Sequence, residues 1–112
     1  MSKKLMAMMK TDFKCGYCGC SLKESGVHLD HMTPKARGGD NSLENLMPSC
    51  PSCNGSKGSK TVDEFRVYIG INQSVPLEFR FSMAQCKYLS EVGAYKAIPN
   101  ATVDHTFYFE GL

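Results

Sequence analysis

A chain of 112 residues with a formal net charge of +2 has room for one small core and carries no global charge excess that would capture a polyanion. No apolar run reaches the roughly 18–20 residues of a membrane span. The start, MSKKLMAMMK, is broken by Lys10 and followed by no small-residue cleavage site, so export is not expected and the cytoplasm is the expected location.

Residues 1–14 form a lead-in, where Leu5, Met6, Met9 and Phe13 have the spacing of a turn or two of helix. Residues 15–70 hold the expected core. Within it, VHLDH (27–31) reads as a short strand running into a loop that contains Pro34, Gly38 and Gly39, and NLMPS (45–49) reads as its partner. The run NGSKGSK (54–60) is poor in helix formers, so a helix there is short and needs outside support. TVDEFRVYI (61–69) is a clearer helix. Thr61 and Glu64 stand at capping-box spacing, Val62, Phe65 and Ile69 share a face, and Gly70 is placed to end it. Residues 71–112 are expected as an extension packing on the core. They comprise a flexible link over 73–78, a helix over 82–92 capped by Ser82 and Gln85, and a final strand in TVDHTFYF (102–109).

Without export, the six cysteines read as metal ligands or free thiols rather than a disulfide framework. CGYC places Cys15 and Cys18 at C-x2-C, and CPSC places Cys50 and Cys53 at the same spacing. A two-residue gap lets both thiolates of a tight turn converge on one ion, so two such knuckles supply the four soft ligands of a tetrahedral structural Zn²⁺. Buried or redox-active thiols are the other reading of the same spacing. Cys20 is a weaker competitor for the position of Cys18, and Cys86 fits a small core residue; neither is assigned to the site.

Between the knuckles stand Asp30, His31 and Asn45, and Asn54 directly follows Cys53, the last cysteine of the second knuckle. Together with Pro34, the Gly38-Gly39 pair, the NL of 45–46, the CxxCN of 50–54 and a following lysine, this pattern resembles the HNH nuclease family in its zinc-bound, four-cysteine form. The resemblance covers residues 15–60, with Asn54 in a position where many members carry His and others Asn. It implies an α+β fold: a ββα-metal hairpin and helix stapled by zinc, here with an extra C-terminal helix and strand. It also implies a metal-dependent DNA endonuclease or nickase that leaves 5′-phosphate and 3′-hydroxyl ends.

The chemistry accounts for the residue types. The imidazole of His31 is partly neutral near pH 7 and suits a general base toward water. Asp30 and Asn54 offer oxygen ligands to a hard divalent cation, Mg²⁺ or Mn²⁺, with water and phosphate completing its shell. By resemblance, Asn45 fastens the loop so that His31 points inward. Between residues 35 and 60 the cations Lys35, Arg37, Lys57 and Lys60 face only Asp40 and Glu44, and are expected to meet phosphates flanking the cut.

The expected partner is double-stranded DNA, bound by a monomer or homodimer, with residues 71–112 left over for a protein partner. The resemblance points to a bacterial or phage-infected cell, since small members are frequent in phages and mobile elements. The competing class is a non-catalytic binding protein or inhibitor that keeps the HNH scaffold to grip nucleic acid or protein. A second VDH at Val103–His105 lacks any surrounding cysteine pair or glycine loop and reads as an exposed strand face. His28 reads as packing or surface.

Overall fold

The chain, described over residues 1–112 by a computed structural model, divides into two compact units. One comprises Met1–Thr61 and Phe107–Leu112, the other Val62–Thr106.

In the first unit, the Ser2 hydroxyl accepts from the Leu5 amide at 3.1 Å and starts helix α1, Lys3–Lys10. Two short strands follow, β1 (His28–His31) and β2 (Leu46–Ser49), paired antiparallel with His28 opposite Ser49 and His31 opposite Leu46. All four residues of β2 are buried, whereas β1 buries only Asp30. Helix α1 lies against β2, and Ala7, Met8, Leu46 and Met47 are core residues of this unit. The Lys10 ammonium closes the entry to β2, donating to the carbonyls of Leu43 at 2.7 Å and Leu46 at 2.8 Å.

Helix α2, Pro51–Lys57, completes a ββα unit. Its sequence has little intrinsic helicity, and its start is held from outside. Pro51 pre-sets the first turn, and the Cys50 sulfur accepts from the Cys53 amide at 3.4 Å. The observed fold is therefore the α+β arrangement expected, a two-stranded hairpin and helix carrying a cysteine cluster.

The tail does not form the expected strand. Phe107 and Phe109 do fall on one face, meeting the ring of Tyr17 edge-on at 5.1 Å and 6.1 Å. The amides of Tyr108 and Phe109 bond to the carbonyls of Tyr17 and Gly16, at 3.1 and 2.8 Å. The Phe107 amide, however, donates to the Glu110 carboxylate at 2.9 Å, and the chain coils into a 3₁₀ turn over Tyr108–Gly111. The alternation places both rings on Tyr17, while the Glu110 carboxylate takes the amide that a ladder would need.

The second unit pairs helix α3, Val62–Ile71, with α4, Met83–Val92. Gly70 does not end α3. It is buried inside the last turn, where an added Cβ would stand 2.1 Å from the Thr102 carbonyl oxygen, so the glycine serves close backbone approach. Helix α4 shows the Ser82/Gln85 capping box and ends at Gly93 with φ of 76°. Phe65 and Ile71 are buried, each stabilising the unit by about 1.5–3 kcal/mol. Buried Asn72 donates to the carbonyls of Tyr68 and Phe81 and accepts from the Phe81 amide, which satisfies its amide group. No helix is long and apolar enough to cross a membrane.

Candidate active site and metal centre

Two centres lie in the first unit: a cluster of thiols and an open cleft beside β1. In the thiol cluster the sulfurs of Cys15, Cys18, Cys20 and Cys50 all lie within 4.8 Å of one another. Cys18 and Cys50 are 3.9 Å apart, against the about 3.8 Å edge of a tetrahedron built on Zn–S bonds of about 2.3 Å. Cys53, outside that group of four, makes a side-chain contact with Cys15, which lowers the Cys15 thiol pKa and raises that of Cys53. The donor set and its spacing fit a soft, tetrahedral ion such as Zn²⁺. Cys20, left outside the site by the sequence reading, thus belongs to the cluster. Cys86 stands apart, fully buried in the second unit.

The turn of the first knuckle explains the convergence. The Gly19 amide donates to the Cys15 carbonyl, Gly19 adopts φ of 79°, and the Cys15 amide donates to the Cys20 carbonyl at 2.8 Å. The chain therefore curls back and sets residue 20 beside residue 15. An isolated pairing of Lys14 with Ser21 closes the turn.

The cleft, of about 360 Å³, is lined by Asp30, His31, Pro34, Lys35 and Asn54, among others. β1 supplies the acid and the imidazole, α2 the asparagine, and the loop after β1 the lysine. That loop is held by Asn45. Its carbonyl oxygen accepts from the Thr33 amide at 2.9 Å, and its amide donates to the carbonyls of Thr33 at 3.0 Å and Asp40 at 2.8 Å. Gly39 is pressed into this closure, since an added Cβ would lie 1.7 Å from the Thr33 carbonyl oxygen. Gly38, with φ of 94°, ends the 3₁₀ turn Lys35–Arg37.

His31 is half-buried, and its Nε2 lies 2.8 Å from the Asn41 side-chain oxygen. With the Asn41 oxygen accepting, this bond favours the tautomer that carries its hydrogen on Nε2, in which Nδ1 holds the lone pair. Asn41 is positioned by the preceding turn, where the Asp40 carboxylate accepts from the Ser42 hydroxyl and amide at 2.7 and 3.1 Å. Those two bonds hold the Asp40 carboxyl below its ordinary pKa.

Asp30 is 5% exposed and already partnered. The Tyr17 hydroxyl donates to its Oδ2, and the Lys57 ammonium stands 3.0 Å from Oδ2 and 3.3 Å from Oδ1. Burial raises the Asp30 pKa above the ordinary carboxylate value, with the Tyr17 and Lys57 bonds opposing that rise. Tyr17 is pushed up by its own burial and by the charge of Asp30, so the phenol keeps its proton and donates.

The four expected phosphate contacts separate. Lys35 and Arg37 are exposed, and the half-buried Lys60 donates to the Ser56 carbonyl at 2.7 Å. Lys57 corrects the expectation. It is 0% exposed, bonding the His31 carbonyl at 2.9 Å as well as Asp30, and its last-turn position in α2 aims it inward. Tyr17 and Asn41 carried no signal of their own in the sequence. Tyr17 lies inside the C-x2-C gap, where residue type is free, and Asn41 serves through a turn. The second VDH places half-buried His105 in the other unit, with its carbonyl accepting from Arg66 at 2.7 Å.

Residues 15–60 match the family model described as HNH endonuclease. The chain is 35% identical over 57 residues to the CRISPR-associated endonuclease Cas9 of Corynebacterium diphtheriae, across 50% of this chain and 5% of that protein. It is 37% identical over 60 residues to the Septu protein PtuB of Bacillus thuringiensis, across 50% of this chain and 23% of that one. The chain therefore spans less than a quarter of the length of either curated relative. Among solved structures it is similar to the Type II-C Cas9 enzyme from Actinomyces naeslundii. That match has a TM-score of 0.54 and 21% identity over 83% of this chain and 10% of the other, a likeness of fold.

Proposed function

Residues 15–60 form a domain of the HNH endonuclease family, and from that premise we propose that the chain hydrolyses phosphodiester bonds of double-stranded DNA. The observation that carries this reading is the joining of Asp30, His31, Lys35 and Asn54 in one open cleft, with the imidazole oriented by Asn41.

In this reading His31 Nδ1 takes the proton from the attacking water, while Asn41 fixes the tautomer that leaves that nitrogen free. Asn45 keeps the loop closed behind the imidazole. Lys35 and Arg37, with Lys60 beyond the second knuckle, contact flanking phosphates. Asp30 and Asn54 supply a carboxylate and an amide oxygen to one cleft, a donor pair that suits a hard cation such as Mg²⁺ or Mn²⁺. When bound, such an ion neutralises charge on the phosphate and its leaving oxygen. Lys57 holds Asp30 ionised and oriented inside the fold. The thiol cluster holds structural Zn²⁺ in the reducing cytoplasm of a bacterial or phage-infected cell.

The test is cleavage of supercoiled plasmid with Mg²⁺ or Mn²⁺. Wild-type protein converts it to nicked or linear forms, and His31→Ala does not. Equal background from both proteins would remove the catalytic reading. A second reading, a binding protein on the same scaffold, draws on the Lys57–Asp30 pair, which already neutralises the acid that a catalytic ion would need. It predicts plasmid retention in a mobility shift without metal-dependent cutting, unchanged by His31→Ala.

A further inference from the structure

Tetrahedral zinc accepts four thiolates, and this site offers five. The C-x2-C spacing selects Cys15, Cys18, Cys50 and Cys53, while mutual distance selects Cys15, Cys18, Cys20 and Cys50, all within 4.8 Å. The two sets share three members and differ in one. Cys53 is no bystander, because its side chain contacts Cys15 and its amide donates to the Cys50 sulfur. Nor is Cys20 a stray surface thiol. Its carbonyl is pinned by the Cys15 amide at 2.8 Å, and Gly19, at φ of 79°, turns the chain so that residue 20 folds back. Cys20 and Cys18 are both exposed, so the cluster opens to solvent on that side, while Cys15 is buried behind them.

We propose that the metal centre is a five-thiol site in which Cys20 and Cys53 compete for one coordination position, with Cys15, Cys18 and Cys50 bound throughout. The inference rests on the zinc reading of the cluster. The exchange balances simply: the Cys20 thiol releases its proton to solvent and forms one Zn–S bond. The bond to Cys53 breaks, and the freed thiolate takes a proton from solvent. Zinc keeps four sulfur ligands on either side of the step and its charge does not change.

Two measurements test this on the full chain. The first is titration with Co²⁺, whose tetrathiolate complex has a characteristic visible spectrum. Cys20→Ser and Cys53→Ser each keep the four-sulfur spectrum at one ion per chain, and the double variant loses it. If either single variant falls to the level of the double variant, the competition is wrong. The second uses zinc-loaded wild-type protein, pulse-alkylated with iodoacetamide and mapped by mass spectrometry, and so depends on no variant folding. Label divided between Cys20 and Cys53, with Cys15, Cys18 and Cys50 protected, supports the proposal; label confined to Cys20, or label on Cys18, overturns it. Wild-type protein that takes up neither metal overturns the zinc reading and this inference together, a result distinct from a zinc-bound site in which Cys20 has no part.

Discussion

Asp30 is the most contested residue of the molecule, a carboxylate at 5% exposure held by one phenol and one fully buried ammonium. Removing either partner leaves a buried charge underserved. Tyr17→Phe keeps the ring that packs against Phe107 and deletes only the hydroxyl. It is expected to lower stability by about 1–3 kcal/mol in urea unfolding, the cost of a buried acceptor left short. Lys57→Met removes the counter-charge, and breaking a buried pair costs about 3–5 kcal/mol. The pH dependence has a definite sign. In the folded protein Asp30 keeps its proton above the ordinary value of 3.8, so as pH rises from there toward the folded pKa, the folded state binds more protons than the unfolded and stability falls. Without Lys57 the folded pKa rises further and the window widens. The deficit of Lys57→Met relative to wild type is therefore expected to be larger at about pH 8 than at about pH 5. A deficit that shrinks as pH rises would mean that Lys57 does not serve the ionised acid. The sequence shows Asp30 and Lys57 as residues of interest, but not their pairing. They are 27 positions apart, and only the packing of α2 beside β1 turns the lysine from the surface to the interior.

At the scale of elements, two glycines of similar appearance in the sequence have opposite tasks. Gly39 closes the loop after β1, where a methyl group would collide with the Thr33 carbonyl at 1.7 Å and crowd the Asn45 amide at 2.9 Å. Gly55 lies inside α2 with nothing within 4 Å of an added Cβ. Gly55→Ala is expected to stabilise the protein by roughly 0.5–1 kcal/mol through helix propensity alone. Gly39→Ala is expected to destabilise it and to reduce plasmid cleavage, because displacing Thr33 breaks two of the three bonds made by the Asn45 side chain. Paired melting curves and cleavage rates check both. Some elements announce themselves. The hairpin strands show as apolar runs on either side of a Pro-Gly-Gly loop, and α4 carries its capping box in Ser82 and Gln85. The tail misleads for the converse reason. Phe107 and Phe109 alternate as strand residues do, yet Glu110 takes the Phe107 amide, and no local pattern tells an acceptor side chain from a neighbouring strand. Gly70 misleads likewise, since a helix-ending glycine and one that admits the Thr102 carbonyl look alike in sequence.

At the scale of the whole molecule, the two units rest on different kinds of cohesion. The first contains two short strands, a seven-residue glycine-bearing helix and a cluster of four thiols, so little of its order comes from propensity, and a zinc ion bound at the cluster is expected to contribute to it. Tyr17 carries that dependence to the cleft, because it lies between Cys15 and Cys18 and its hydroxyl donates to Asp30. The second unit has no part in the thiol cluster. Its helices α3 and α4 pack together, with Phe65, Ile71 and Cys86 buried and the amide of Asn72 satisfied. Removal of zinc by a strong chelator under reducing conditions is therefore expected to act unevenly. In hydrogen exchange read by mass spectrometry, peptides from residues 1–61 and 107–112 lose protection, while those covering α3 and α4 keep most of theirs. Restoring Zn²⁺ brings back protection in the first unit and, with a divalent cation present, plasmid cleavage. Uniform loss across residues 1–112 would show that the packing of α3 and α4 depends on the metal as well. Retention of protection in the first unit would mean that the hairpin and α1, with their core of Ala7, Met8, Leu46 and Met47, hold without the staple.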